Sequence, residues 1–121
     1  MITFQNISKI YQVGDQEVKA LDDVSFSIEK GKFTIILGPS GSGKSTMLNL
    51  LGGMDQATSG KFLFEDTDVT GLSDKDLSKY RKDVVGFVFQ FYNLVPSLTA
   101  LENISIAAQL TKNAKQSEQY L

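Results

Sequence analysis

Apolar and polar residues alternate along the first third of the chain. Val24, Phe26 and Ile28 are separated by Ser25 and Ser27, and Ile2 and Phe4 follow the same rhythm. A period of two predicts strands with one buried face, as in an antiparallel sheet. Val13-Gly14-Asp15-Gln16 and Glu29-Lys30-Gly31-Lys32 read as turns between such strands. The pattern then changes. Phe33 to Leu37 is an apolar run, read here as a strand, and Lys44 to Leu51 carries Met47, Leu48, Leu50 and Leu51. The second segment predicts a helix stopped by Gly52-Gly53.

Further along, Thr58-Ser59-Gly60 predicts a turn, and Phe62 and Phe64 a short strand. Ser73 is placed to cap a second helix whose inward residues are Leu77 and Tyr80. Val84 to Phe89 is apolar almost throughout, the pattern of a strand buried on both faces in a mainly parallel sheet. Thr99-Ala100-Leu101-Glu102 is a capping box opening a third helix. The polar tail from Thr111 to Leu121 is expected to fray.

Composition narrows the chemistry. The 121 residues suffice for one domain, and a net charge of −2 gives no general attraction to nucleic acid. There is no cysteine and no histidine, which removes disulfides, thiolate catalysis and imidazole chemistry. No apolar run approaches the ~18 residues that span a bilayer, and the first residues lack the apolar core of a signal peptide. The Lys75, Lys79, Arg81 and Lys82 group reads as the exposed face of the second helix. Asp66 and Asp68 read as loop residues and not as metal ligands.

Between the Phe33–Leu37 run and the first helix stands Gly38-Pro39-Ser40-Gly41-Ser42-Gly43-Lys44-Ser45-Thr46. It matches G-x-x-x-x-G-K-[ST]. Glycines let a loop turn its N–H groups toward a phosphate, and a helix N-terminus adds partial positive charge. Lys44 would reach the outer phosphates and Ser45 would ligate Mg²⁺. A chance match in a chain this long is expected roughly once in a few hundred sequences. A flexible Gly/Ser linker would need neither the lysine nor the flanking strand and helix.

Four segments carry a closer resemblance: Tyr11 before the first turn, Leu37 to Gly53, Thr58 to Val69, and Val85 to Ile104. Together they resemble the nucleotide-binding subunit of an ABC transporter, in the group of macrolide exporters, lipoprotein-release complexes and the cell-division ATPase. The resemblance covers Met1 to about Leu110. It implies an α/β fold, a P-loop NTPase core with an N-terminal antiparallel β subdomain. It also implies a partial domain, truncated before the helical subdomain, signature and Walker B. Residues 1–32 and 58–69 would form the β region, and 33–57 the Walker A strand, loop and helix. Residues 70–98 would carry the second helix, a strand and the Q-loop, and 99–121 the start of the helical subdomain.

The resemblance further implies ATP and Mg²⁺ as cofactors. Ser40, Gly41, Ser42, Gly43, Lys44, Ser45 and Thr46 would bind the nucleotide, with Tyr11 stacking on adenine. Gln90 would position the attacking water and join Ser45 on Mg²⁺. From the residues alone, Tyr11 reads as packing and Gln90 as a solvated loop residue. Phe91 to Leu98 would meet a transmembrane permease subunit, and a second ATPase subunit would complete the site. Such a protein is cytoplasmic, peripheral on the membrane's cytoplasmic face. The signature LSGGQ, a strand ending in Asp-Glu and the switch histidine do not occur. The chain alone is therefore expected to bind ATP without turnover, and an unpaired Val84–Phe89 strand edge to drive self-association. A GTPase would need N-K-x-D, and a small kinase an arginine-bearing lid, whereas Arg81 is the single arginine. A non-catalytic nucleotide-binding or regulatory module is the other alternative.

Overall fold

A computed structural model describes residues 1–109, in two units that divide between Arg81 and Lys82. The expected frayed tail lies outside the described residues.

The first unit is built on a four-stranded antiparallel sheet of order β2-β1-β3-β4. Strand β1 (Ile2–Val13) and strand β2 (Gln16–Ile28) form a hairpin. Gly14, at φ 61°, makes its two-residue turn with Asp15. A positive φ matches the twist of a tight hairpin and costs glycine little. Strand β3 (Ser59–Phe64) pairs with the other edge of β1, and the two-residue β4 (Thr67–Asp68) pairs with β3. The expected turn at Thr58-Ser59-Gly60 is thus shifted: Ser59 and Gly60 already belong to β3. Gly60 sits at φ 91°, and a side chain there would also strike the Asn6 backbone, so both the conformation and the close approach call for glycine.

Strict alternation breaks in β1 between Phe4 and Ile7. Phe4 and Ile7 are both fully buried, three residues apart. The β1–β2 register shifts between them, and Asn6 at φ 51° faces Asp23 at φ 53°, with the Asn6 amide donating to Asp23 at 2.8 Å. The bulge turns Ile7 back to the core side.

Helix α1 (Lys44–Leu51) supplies Leu50 to that core, and helix α2 (Asp74–Val84) supplies Leu77 and Tyr80. Ser73 caps α2 as expected, accepting the Asp76 N–H at 3.2 Å. The core is Phe4, Ile7, Leu21, Leu50, Phe62, Val69, Leu77 and Tyr80. Its rings meet edge-on: Phe4 and Phe62 at 5.0 Å, Phe62 and Tyr80 at 6.1 Å. Edge-to-face contact suits the ring quadrupoles. Arg81 departs from the expected exposed stripe. Its guanidinium donates to the Gly53 carbonyl at 2.7 Å, tying α2 to the end of α1.

Two expected strands are absent. Phe33–Leu37 and Val85–Phe89 carry no strand pairing, and Val84 closes α2 instead. Phe33 is 91% exposed and Val88 102%. An extended segment becomes a strand only when a neighbour takes its N–H and C=O groups. No described segment pairs with either one, so the apolar pattern is present without its sheet.

In the second unit, helix α3 (Ala100–Gln109) opens on the expected capping box. The Thr99 N–H donates to the Glu102 carboxylate at 2.7 Å, and the Glu102 N–H returns to the Thr99 hydroxyl at 3.3 Å. The first of these bonds, with that from the Thr99 hydroxyl, holds the Glu102 carboxyl below its ordinary range. The Asn103 side chain accepts the Val95 N–H at 2.8 Å and donates to the Leu98 carbonyl at 3.2 Å. These bonds fasten the preceding loop to α3. Among the described residues no helix is long and apolar enough to cross a membrane.

Candidate functional site

The glycine-rich loop lies over β2. Gly43 is at φ 90°, and a Cβ there would overlap the Ala20 carbonyl oxygen. Both facts demand glycine: the left-handed backbone and the close approach to another peptide. Gly41, at φ 79°, is left-handed too, but open space surrounds it. The loop then enters α1 directly, with the Met47 N–H donating to the Gly43 carbonyl at 2.9 Å.

Lys44 folds back across the loop. Its ammonium donates to the Gly38 and Pro39 carbonyls, each at 2.6 Å, and approaches the Ser42 hydroxyl at 3.4 Å. The positive charge is thereby held over the loop, at the start of a helix. A helix N-terminus leaves its first N–H groups without intrahelical partners and carries partial positive charge. An open depression of about 520 Å³ results, lined by Val18, Lys19, Ala20, Ser40, Gly41, Gly43, Lys44, Ser45 and Thr46. Most of the expected phosphate-binding residues therefore meet in one concavity. The wall from β2 was not foreseen, because Val18, Lys19 and Ala20 have no motif of their own.

Tyr11 lies on β1 directly opposite Val18, beside this depression. It is half-buried. Its hydroxyl donates to Asp55 Oδ2 at 2.8 Å, and the Lys9 ammonium sits 4.9 Å from its ring centre. Lys9 also donates to Asp55 Oδ1 and the Gln56 carbonyl, both at 2.7 Å. Partial burial raises the Asp55 carboxyl, but the bonds from Lys9 and Tyr11 outweigh it and leave the group below the usual carboxylate range. Nothing in the sequence pattern pointed to Lys9 or Asp55, since their partners are 46 residues apart.

Gln90 belongs to the second unit, in an exposed bend. Phe91, Tyr92, Leu94 and Val95, beyond it, are exposed as well, by 74%, 94%, 63% and 43%. None of the four is buried, although the Val95 backbone is bonded to Asn103 of α3. Asp68 is a structural cap: its side chain accepts the Thr70 N–H at 3.1 Å.

A glycine loop crossed by its own lysine, leading into a helix N-terminus, matches the G-x-x-x-x-G-K-[ST] pattern read from the sequence. Comparison with known proteins carries this further. The family model described as "ABC transporter" matches residues 21–121. An uncharacterized ABC transporter ATP-binding protein of Methanocaldococcus jannaschii, MJ0796, is 46% identical over 106 residues, 88% of this chain and 45% of that protein. The lipoprotein-releasing system ATP-binding protein LolD of Alcanivorax borkumensis is 44% identical over 102 residues, 84% of this chain and 45% of that one. The macrolide export ATP-binding/permease protein MacB of Hyphomonas neptunium is 44% identical over 108 residues, 89% of this chain and 17% of that one. The solved dimeric structure of the MJ0796 cassette bound to ADP and Pi superposes with a TM-score of 0.86 at 42% identity, covering 98% of this chain and 52% of that one.

The chain belongs to the ABC transporter family. It spans about half the length of the ATP-binding protein and of the solved cassette that it matches.

Proposed function

We propose that this chain binds ATP at the loop Ser40–Thr46 and forms the nucleotide-binding part of an ATPase that drives transport. The single observation that carries the reading is Lys44, held over a concavity formed by the glycine loop, the α1 N-terminus and β2. The donor set fits a polyphosphate. Lys44 supplies a cation, α1 supplies N–H groups, and Ser40, Ser45 and Thr46 supply hydroxyls around the depression. Lys44 would exchange its loop carbonyls for the outer phosphate oxygens, a charge-assisted contact stronger than the neutral one it leaves.

Ser45 would hold Mg²⁺, which neutralises charge between neighbouring phosphates. Tyr11 would stack on adenine, at the hairpin that walls the cradle. Phe91 to Leu98 would be the contact with a transmembrane permease subunit. Exposed aromatic and aliphatic side chains on a loop support that role. On this reading the protein works at the cytoplasmic face of a membrane, beside a second ATPase subunit. The residues assigned here bind and position ATP, and none of them is a general base. We expect the 121-residue chain by itself to release phosphate at the background rate.

The test is thermal unfolding with and without MgATP, for the protein and for Lys44→Ala. A ligand that binds only the folded state raises its stability by mass action. An upward shift that disappears in Lys44→Ala supports the reading. No shift in the unaltered protein overturns it.

A further inference from the structure

Asp55 joins two parts of the molecule that a nucleotide must read together. It follows the glycine turn at the end of α1, where the Asn49 carbonyl accepts the Met54 N–H at 2.8 Å and the Asp55 N–H at 3.3 Å. The cradle stands at the other end of that same helix. From this turn the carboxylate reaches β1: one oxygen takes the Tyr11 hydroxyl, the other the Lys9 ammonium. Lys9 is only 13% exposed in its side chain, and it also covers the Tyr11 ring at 4.9 Å. The ring is thus held at its hydroxyl and flanked by a cation within the range of a cation–π contact. A tyrosine that served packing alone would need neither restraint.

We propose that Asp55, with Lys9, is a positioning residue that orients the Tyr11 ring to receive the nucleotide base. This rests on the reading that Tyr11 stacks on adenine. The arrangement is a preorganised platform. A ring already fixed at its hydroxyl loses less freedom when a base settles on it, and that saving strengthens binding of the base. The phosphates lie with the loop and should not sense the tether. Asp55 would therefore set the base-dependent share of affinity and leave the phosphate-dependent share alone.

Calorimetric titration with ATP and with inorganic tripolyphosphate separates the two shares. Tyr11→Phe keeps the ring and removes the hydroxyl, Asp55→Asn weakens the tether, and Tyr11→Ala removes the platform. Tyr11→Ala is expected to lower ATP affinity about tenfold or more, with tripolyphosphate unchanged. Tyr11→Phe and Asp55→Asn are expected to lower ATP affinity by about three- to tenfold, again with tripolyphosphate unchanged. If ATP and tripolyphosphate affinities fall together, Asp55 is structural and the proposal is overturned. If Tyr11→Ala alone weakens ATP, stacking stands and the positioning role falls. If Tyr11→Ala leaves ATP affinity unchanged, the stacking reading falls and takes the proposal with it. Tyr11→Phe leaves every backbone contact in place, so a poorly folded Asp55→Asn would not remove the test.

Discussion

Gly43 lies so close to Ala20 that a Cβ on the glycine would overlap the alanine carbonyl oxygen, with the Leu21 side chain 3.1 Å away on the same side. The glycine loop is thereby seated on strand β2, and its shape depends on a neighbour 23 residues earlier in the chain.

That contact makes Gly43→Ala the sharpest test of the cradle. The substitution must move backbone, and φ 90° is strained for any side chain. Strain of this kind costs about 1–3 kcal/mol. Urea unfolding should register that loss, and calorimetry should register weaker binding of both ATP and tripolyphosphate. Gly41→Ala, with the same sign of φ but open space around it, should perturb less. Equal effects would mean that the seat on β2 is unimportant.

The join between α1 and α2 rests on polar bonds as well as on apolar packing. The Tyr80 hydroxyl donates to the Leu51 carbonyl at 2.9 Å, and burial pushes its pKa up. Tyr80→Phe keeps the ring contacts with Phe62 and Phe64 but deletes this bond. The expected cost is about 1 kcal/mol, read from the urea midpoint. A variant as stable as the parent would show that the Leu51 carbonyl finds water instead.

Acid should loosen the β1–α1 connection. The folded-state pKa of Asp55 lies below its ordinary value, so the unfolded chain takes up the proton first. Its contribution is complete above the unfolded carboxylate range and is lost as pH falls through the folded value. Glu102, and Glu65 through its bond to the N-terminal ammonium, act in the same direction. Urea midpoints measured across about pH 6 to 3 should decline, and Asp55→Asn should flatten the decline. An unchanged slope in that variant would remove Asp55 from the account.

The apolar segments without strand partners should associate. Phe33 and Leu37 are 91% and 86% exposed, and Val88 102%. Exposed extended backbone with apolar side chains is a template for pairing with another chain. Sedimentation at rising concentration is expected to show larger species, and Phe33→Lys with Val88→Lys to shift the distribution toward the monomer. A monomer across that range would refute this.

Local chemistry made most of the proposed site legible. The spacing of Gly38, Gly43, Lys44 and Ser45 matches a phosphate-loop pattern, in which Gly43 takes the left-handed backbone that favours glycine and Lys44 supplies the cation. The helix that follows, its glycine stop, and the caps at Ser73 and Thr99 were equally readable, since each depends on residues within one or two turns. The capping box even names its partners in advance.

Other features depend on who sits beside whom. Pattern alone wrote Phe33–Leu37 and Val84–Phe89 as strands, but strand structure belongs to a pair, and in the described residues the second member is missing. The bulge at Asn6, the seat of Gly43 on Ala20, and the Lys9–Asp55–Tyr11 cluster join positions from 17 to 46 residues apart. Sequence determined the elements whose stabilising contacts are near in the chain. Only tertiary structure decided which strands exist, which wall the loop leans on, and which carboxylate holds the tyrosine, because those contacts form between segments that meet only after the chain has folded.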